Sequence, residues 1–322
     1  MEESRRARRV PVSNVAGATA PSPASGAPLL HIAVLGLGLI GGSAAQAWRN
    51  RGHRITGWSR RAETVSLAAI RGIIDEGANS AASAVDGADV VVLAPPVLAM
   101  REVLRAIAPK LRTGAIVTDV ASTKQAPERW ASELLPAHTH WVGAHPMAGK
   151  ELSGLSHVDP DLFRGRTWVV VPPPGASRDA VSTVERLGQE LGSRIIEMDA
   201  ASHDEAVAYV SHLPFMVSTA LSAAVIGSER FVAWSAVAAS GLRDMTRLAS
   251  GDALMHRDIC ATNRDQIADA MERFAAAFAT MAAQVRALPD DHKLSAADNL
   301  EDLGSTFERV KADRDAWLPH AR

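Results

Sequence analysis

A glycine-rich turn between two short apolar strands constrains this chain more than any other feature. Residues His31-Ile-Ala-Val-Leu35 run into Gly36-Leu-Gly38-Leu-Ile-Gly41-Gly42-Ser43, then an alanine-rich helical stretch, then His53-Arg-Ile-Thr-Gly57-Trp58-Ser59-Arg60-Arg61. Strand, GxGxxG turn, helix and second strand follow one another within about 30 residues, the order of a βαβ unit that binds a dinucleotide. Gly36 permits the tight turn, Gly38 lacks the Cβ that would block a pyrophosphate, and Gly41 lets the helix pack closely on the sheet. The helix start, with the N–H groups of Leu39, Ile40 and Gly41, offers its positive dipole end to the phosphates. A glycine-rich turn in an ordinary α/β protein is the bland alternative, and the two flanking strands argue against it.

The second strand addresses the cofactor. An NAD-preferring unit usually ends this strand with Asp or Glu on the ribose 2′-hydroxyl, roughly 20 residues past the glycines. Here Ser59, Arg60 and Arg61 stand there instead. Two guanidinium groups beside a hydroxyl suit a 2′-phosphate, so NADP is predicted over NAD. The alternative is that Arg60 and Arg61 are solvated loop charges.

A chain of 322 residues has room for two ordinary domains. A hydrophobic content of 47% and a net charge of -2 give no pointer to nucleic acid or a membrane surface. No uninterrupted apolar run approaches the roughly 18 residues that span a bilayer. The lone cysteine, Cys260, excludes an internal disulfide and a cysteine-based zinc site; it reads as a small buried hydrophobe in a reducing, cytoplasmic setting, and no metal site is expected. Residues 1–28 carry Arg5, Arg6, Arg8 and Arg9 and then Ala, Ser, Gly and Pro, a composition expected to be a disordered extension. Glu2 and Glu3 argue against a transit peptide.

Further along, Ala88–Ala94 is a continuous β-branched run that reads as a buried parallel strand stopped by Pro95 and Pro96. Carboxyl ends of strands face the ligand in a doubly wound sheet, which places Pro95 against the cofactor. Strands are also expected at Ala115–Asp119, before His145, at Thr167–Val171 and at Arg194–Met198, with helices near 98–111 and 130–135. From Ala201 the chain is rich in Ala, Leu, Met and Arg, with amphipathic spacing such as Ile267, Met271, Phe274 and Phe278. The expectation is an α/β fold: a doubly wound nucleotide-binding domain over 29–199 and an all-helical domain over 200–322. So many apolar helical positions exceed what one small domain can bury, which predicts a homodimer packed through the helical half.

Four residues stand out as chemistry. His145, after a short strand and fixed by Pro146, suits a general base because a neutral imidazole accepts a hydroxyl proton near neutral pH. Ser122, in Asp119-Val-Ala-Ser122-Thr-Lys124, offers a hydroxyl to the same substrate group or to the imidazole. Arg243 offers a planar fork for a carboxylate. His212 precedes Pro214, which disturbs the helical backbone. Singly, each has an ordinary alternative: a cap or packing histidine at 145, a solvated ion pair at 243, a satisfied core histidine at 212.

As an ordered set, Gly36-Leu-Gly38-Leu-Ile-Gly41-Gly42-Ser43, Asp119-Val-Ala-Ser122-Thr-Lys124, Gly143-Ala-His145-Pro-Met-Ala-Gly149, Ser211-His-Leu-Pro214 and Ser240-Gly-Leu-Arg243-Asp244 resemble the prephenate/arogenate dehydrogenase family of tyrosine biosynthesis. The resemblance implies a Rossmann-type domain followed by a helical dimerisation domain. It implies that His145 is the catalytic histidine, Ser122 its assisting serine, Arg243 the substrate-carboxylate arginine and His212 a histidine of the substrate crevice. The implied reaction is oxidative decarboxylation of a cyclohexadienol with hydride transfer to the nicotinamide. Many prephenate-using members carry a second histidine directly after the proline of Ser-His-Leu-Pro, where this chain has Phe215. That departure, with Ser59-Arg60 at the ribose, resembles the arogenate-specific, NADP-using members. The rival expectations are a prephenate dehydrogenase on the same scaffold, a hydroxyacid or imine reductase with a lysine acid/base on its helical half, and an NADP-sensing protein without turnover.

Overall fold

The computed structural model describes residues 28–149, 154–288 and 301–318; the expected disordered extension falls outside them but for its last residue. The chain divides into two compact units, Met1–Ala121 with Pro127–Asp199, and Ser122–Ala126 with Ala200–Arg322.

The first unit is built on β1 (His31–Leu35), α1 (Leu39–Arg49), β2 (Arg54–Trp58), α2 (Ala62–Ile70), β3 (Glu76–Gly77), α3 (Ala81–Ala84), β4 (Val90–Leu93), α4 (Val97–Ile107), β5 (Ile116–Asp119), α5 (Gln125–Leu134), β6 (His140–Pro146), β7 (Thr167–Val171), α6 (Arg178–Glu190) and β8 (Arg194–Glu197). The first residues of α5 belong to the second unit. The strands form one eight-stranded sheet in the order β3-β2-β1-β4-β5-β6-β7-β8. Its first six strands run 3-2-1-4-5-6, all parallel, the order of a dinucleotide-binding sheet. Only β7 runs against its neighbour: it pairs antiparallel with β6, and β8 then follows β7 in parallel.

β1 and β4 pair inside the sheet, and Ile32, Val34, Val90 and Val92 are wholly buried. Helices cover both faces of such a sheet, so both faces of each central strand demand apolar side chains. An aromatic cluster closes the far side: Trp168 meets Trp48 and Phe163 edge-on, at 6.5 and 6.1 Å between centroids. Trp48 Nε1 donates to the Leu187 carbonyl at 3.0 Å, tying α1 to α6 across 139 residues.

The second unit, as expected, contains no strand among its described residues. It comprises α7 (Ala200–Val207), a π-turn (Ala208–His212), α8 (Leu213–Val225), α9 (Phe231–Trp234), α10 (Ser240–Thr246), α11 (Ala253–Thr262), α12 (Arg264–Arg286) and α13 (Glu301–Trp317). The run Ala200–Val225 is long and apolar enough, by length and composition, to cross a membrane, while His203, Asp204, Glu205 and His212 keep every uninterrupted apolar stretch within it short, as expected. Buried polar groups break it: His203, Asp204 and His212 each hydrogen-bond inside the unit, and Ser218 Oγ accepts from the Ala249 N–H at 3.0 Å. The unit has a small core around Ala208, Ile259 and Ile267. Val232 and Val237 are more than four-fifths exposed, and Phe274, Phe278 and Phe307 are exposed too.

Candidate active site

In the first unit the glycine turn is organised as its spacing requires. Gly36 has φ +117°, and a Cβ there would fall 2.4 Å from the Ala94 carbonyl. A Cβ on Gly41 would lie 2.0 Å from Gly36 O and 2.8 Å from Ala94 Cβ, so α1 starts against the sheet with no room for a side chain. Gly38 differs: a Cβ there meets nothing within 4 Å. Gly38 is also the N-cap of α1 and supplies no side-chain bond to the helix start, where Leu39, Ile40 and Gly41 follow. An open face beside a side-chain-free helix N-terminus fits a pyrophosphate, which needs close backbone approach and N–H donors.

The end of β2 is tied to this turn, because the Gly36 N–H donates to the Trp58 carbonyl at 2.8 Å. Ser59, Arg60 and Arg61 follow directly; Ser59 is half-buried and both arginines are exposed. Neither guanidinium forms an ion pair with an acid among the described residues. Pro95 follows β4, and the Ala94 N–H donates to Leu35 O at 2.8 Å, which sets the end of β4 against the glycine turn.

His145 lies within β6, not after it, and is 9% exposed. Its Cα is opposite Val169 of β7. Beside it stands a carboxylate that the sequence motif contains without announcing a role: wholly buried Asp119, at the end of β5. Its Oδ1 accepts from the Ala144 N–H at 3.1 Å and its Oδ2 from the Ala121 N–H at 3.0 Å. Asp119 thereby fixes the backbone immediately before His145.

In the second unit Ser122 is half-buried, at the head of a segment anchored by Asp204. A boundary at residue 199 puts Ser122 with the nucleotide-binding half; the structure groups Ser122–Ala126 with the helices. The reason is side-chain chemistry. Asp204, fully buried, accepts from the Lys124 N–H at 2.7 Å and the Gln125 N–H at 2.9 Å, capping the start of α5 as a carboxylate does at a positive helix end. His203 Nδ1 is 2.8 Å from the same carboxylate, and Thr123 Oγ1 donates to Thr262 Oγ1 at 2.9 Å. Nothing in the local spacing announces bonds across about 80 or 140 residues.

His212, 4% exposed, closes the π-turn, and its Nδ1 lies 3.4 Å from Asn263 Nδ2. Burial pushes its pKa down from 6.5 to about 4; the charge of Asp204 opposes that shift, while His203 and His256 add to it. His212 is therefore neutral near pH 7. Phe215, in the first turn of α8, stacks on the His256 ring at 3.4 Å between centroids and 8° between planes. Arg243, on α10, is exposed, with Nε 3.7 Å from Asp244 Oδ1. It borders a cavity of about 380 Å³ together with Ile226, Ala239, Ser240, Leu242 and Thr246. Cys260 is half-buried and burial pushes its thiol pKa up, the opposite of what a nucleophile needs. Thus the first unit gathers Gly36, Gly38, Gly41, Ser59–Arg61 and Pro95. The second links the Ser122 segment to His212 through Asp204 and Asn263, and sets Arg243 on a separate helix.

A dinucleotide-type sheet with an open glycine turn, joined in one chain to a helical unit bearing a buried neutral histidine and an exposed arginine, defines a two-domain dehydrogenase. The family profile described as "Prephenate dehydrogenase, nucleotide-binding domain" matches residues 44–197, and "Prephenate dehydrogenase, dimerization domain" matches 199–300. The chain is 34% identical over 247 residues to the prephenate dehydrogenase of Bacillus subtilis, covering 76% of this chain and 67% of that one. It is 32% identical over 250 residues to the cyclohexadienyl dehydrogenase of Zymomonas mobilis, covering 76% and 85%. Among solved structures, arogenate dehydrogenase from Synechocystis superposes with a TM-score of 0.76 at 28% identity, covering 89% of this chain and 100% of that one. Prephenate dehydrogenase from A. aeolicus, in complex with hydroxyphenyl propionate and NAD+, gives 0.81 at 28% identity, covering 90% and 99%. The chain belongs to the prephenate/arogenate dehydrogenase family and is an oxidoreductase with a nucleotide-binding domain.

Proposed function

We propose that this chain is an NADP-dependent arogenate dehydrogenase, converting L-arogenate to L-tyrosine and CO2. One observation carries the cofactor choice. The segment after β2, tied to the glycine turn through the Gly36–Trp58 bond, offers Ser59 and two exposed guanidiniums that no acid neutralises among the described residues. A 2′-phosphate gains charge-assisted bonds there, whereas the acid that would hold a bare 2′-hydroxyl is lacking.

The bound nicotinamide supplies a hydride acceptor for the ring carbon that bears the hydroxyl. The chain's own residues do the rest. His145 takes the hydroxyl proton as that hydride leaves, so the carbon becomes a carbonyl without a charged alkoxide building up. The bond to the ring carboxylate then breaks, its electron pair moves into the ring, CO2 departs, and the oxygen regains a proton as the phenol forms. Ser122 hydrogen-bonds the same oxygen and orients it. Arg243 holds a substrate carboxylate in its guanidinium fork, and His212, neutral, offers a hydrogen bond in the crevice. Two copies pack through the helical unit, which covers the exposed Val232, Val237, Phe274 and Phe278.

Arogenate is favoured over prephenate because Phe215, stacked on His256, has no hydrogen bond to give where many prephenate-using members place a histidine. A second reading, prephenate dehydrogenase giving 4-hydroxyphenylpyruvate, is supported by the B. subtilis relative's activity and by the NAD+ bound to the A. aeolicus structure. Steady-state kinetics with both substrates and both cofactors separate the two. A higher kcat/KM for arogenate with NADP is expected; turnover of prephenate with negligible turnover of arogenate reverses the substrate assignment.

A further inference from the structure

Asn263, 3% exposed, immediately precedes α12 and belongs to none of the sequence motifs. Its Nδ2 donates to the Asp204 carbonyl oxygen at 2.8 Å and lies 3.4 Å from His212 Nδ1. A main-chain carbonyl only accepts, so the amide must turn its nitrogen, not its oxygen, toward Asp204. The same nitrogen then meets the imidazole, and a ring nitrogen facing an N–H donor must itself be the acceptor. Asn263 Oδ1 is buried with no hydrogen-bond partner among the described residues, so the amide forgoes an acceptor bond to keep both donor contacts.

The helix cooperates. The π-turn bonds Leu213 N–H to Ala208 O, five residues back, and Pro214 has no N–H to restore ordinary helical spacing. π-turns of this kind recur where a side chain must be displaced from its regular place on a helix. The charged and titratable groups around the ring are Asp204, His203 and His256. The Asp204 carboxylate is engaged by Lys124 N–H, Gln125 N–H and His203 Nδ1, and no carboxylate among the described residues bonds the His212 ring.

We propose that Asn263 is a positioning residue that holds His212 as the neutral tautomer protonated on Nε2, so that His212 presents an N–H donor to the substrate and takes no proton from it. The substrate part rests on the function proposed above. On that function His212 acts as a donor alone, because its free ring position already carries a proton and its other nitrogen faces the Asn263 amide.

The test is ¹⁵N NMR of the imidazole nitrogens in the full-length protein at neutral pH, with the His212 signals assigned from His212→Gln. The proposal expects Nε2 protonated and Nδ1 bare. Asn263→Leu, similar in size but without a donor, is expected to release Nδ1 and populate the other tautomer. Asn263→Asp puts an acceptor there, draws the single proton to Nδ1 and leaves Nε2 bare, and lowers kcat/KM about tenfold for the lost donor bond. A His212 protonated on Nδ1 in the unmodified protein overturns the proposal; so does an unchanged tautomer in an Asn263→Leu protein whose circular dichroism and melting temperature show it folded. If Asn263→Leu does not fold, the spectrum of the unmodified protein decides alone. The spectrum needs no substrate: an Nε2-protonated His212 in a protein that turned over neither cyclohexadienol would refute the proposed function and leave this assignment standing.

Discussion

Alanine at Gly41 and alanine at Gly38 separate a glycine kept for the fold from one kept for the ligand. At Gly41 the new Cβ would sit 2.0 Å from Gly36 O and 2.8 Å from Ala94 Cβ, groups that cannot rotate aside. Forcing a methyl into such a contact costs about 1–3 kcal/mol, and two such neighbours put this site at the upper end. At about 2–4 °C per kcal/mol for a domain of this size, Gly41→Ala melts roughly 6–12 °C below the unmodified protein. Gly38 has a φ of -82°, ordinary for alanine, and nothing within 4 Å of the added methyl. Its only structural cost is a poorer helix cap, up to about 1 kcal/mol. The methyl instead occupies the space a pyrophosphate must enter. Losing one charge-assisted bond there, worth about 1.5–3 kcal/mol, weakens NADP roughly ten- to over a hundredfold. Thermal melts and a fluorescence titration with cofactor read the two effects on the same preparations. The reasoning fails if Gly38→Ala binds cofactor as tightly as the unmodified protein, or if Gly41→Ala melts with it.

Replacing Arg60 and Arg61 together with alanine is expected to lower kcat/KM with NADP at least about tenfold while leaving NAD nearly unchanged; equal losses with both would remove the 2′-phosphate role. The pH dependence of stability follows from His212. Below about pH 6.5 the unfolded chain gains a proton on this residue that the folded protein refuses until about pH 4. Stability therefore falls as pH drops through that window, by about 3 kcal/mol for this group. Urea unfolding at fixed protein concentration is expected to show that loss in the unmodified protein and not in His212→Gln; parallel curves would contradict it. Light scattering at micromolar concentration is expected to give the mass of two chains, and a monomer would leave the exposed helical face unexplained.

The parts of this molecule that repeat or alternate were legible in its residues. The GxGxxG turn, the β-branched run of β4 and the helical second half each follow from a spacing rule, and the glycines sit where those rules put them. β3 escaped because a two-residue strand, Glu76–Gly77, carries no periodicity. The antiparallel entry of β7 escaped because a buried strand reads alike in either direction. The same holds around the site. His145 and His212 announced themselves through neighbouring prolines. The groups that fix them did not: Asp119 reaches 25 residues to Ala144, Asp204 reaches 80 to Lys124, and Asn263 reaches 51 back to His212. Bonds from a side chain to distant backbone leave no pattern in a single sequence, so the placement of Ser122 with the helices had no local signal.

The most direct test of the central claim follows reduced nicotinamide at 340 nm with L-arogenate and NADP, comparing the unmodified protein with His145→Asn. The account predicts turnover by the former, tyrosine and CO2 as products, and a loss of about 10²–10⁴-fold in kcat in the variant with cofactor affinity retained. Comparable rates in the two proteins, or no reduced cofactor from either arogenate or prephenate, would contradict it.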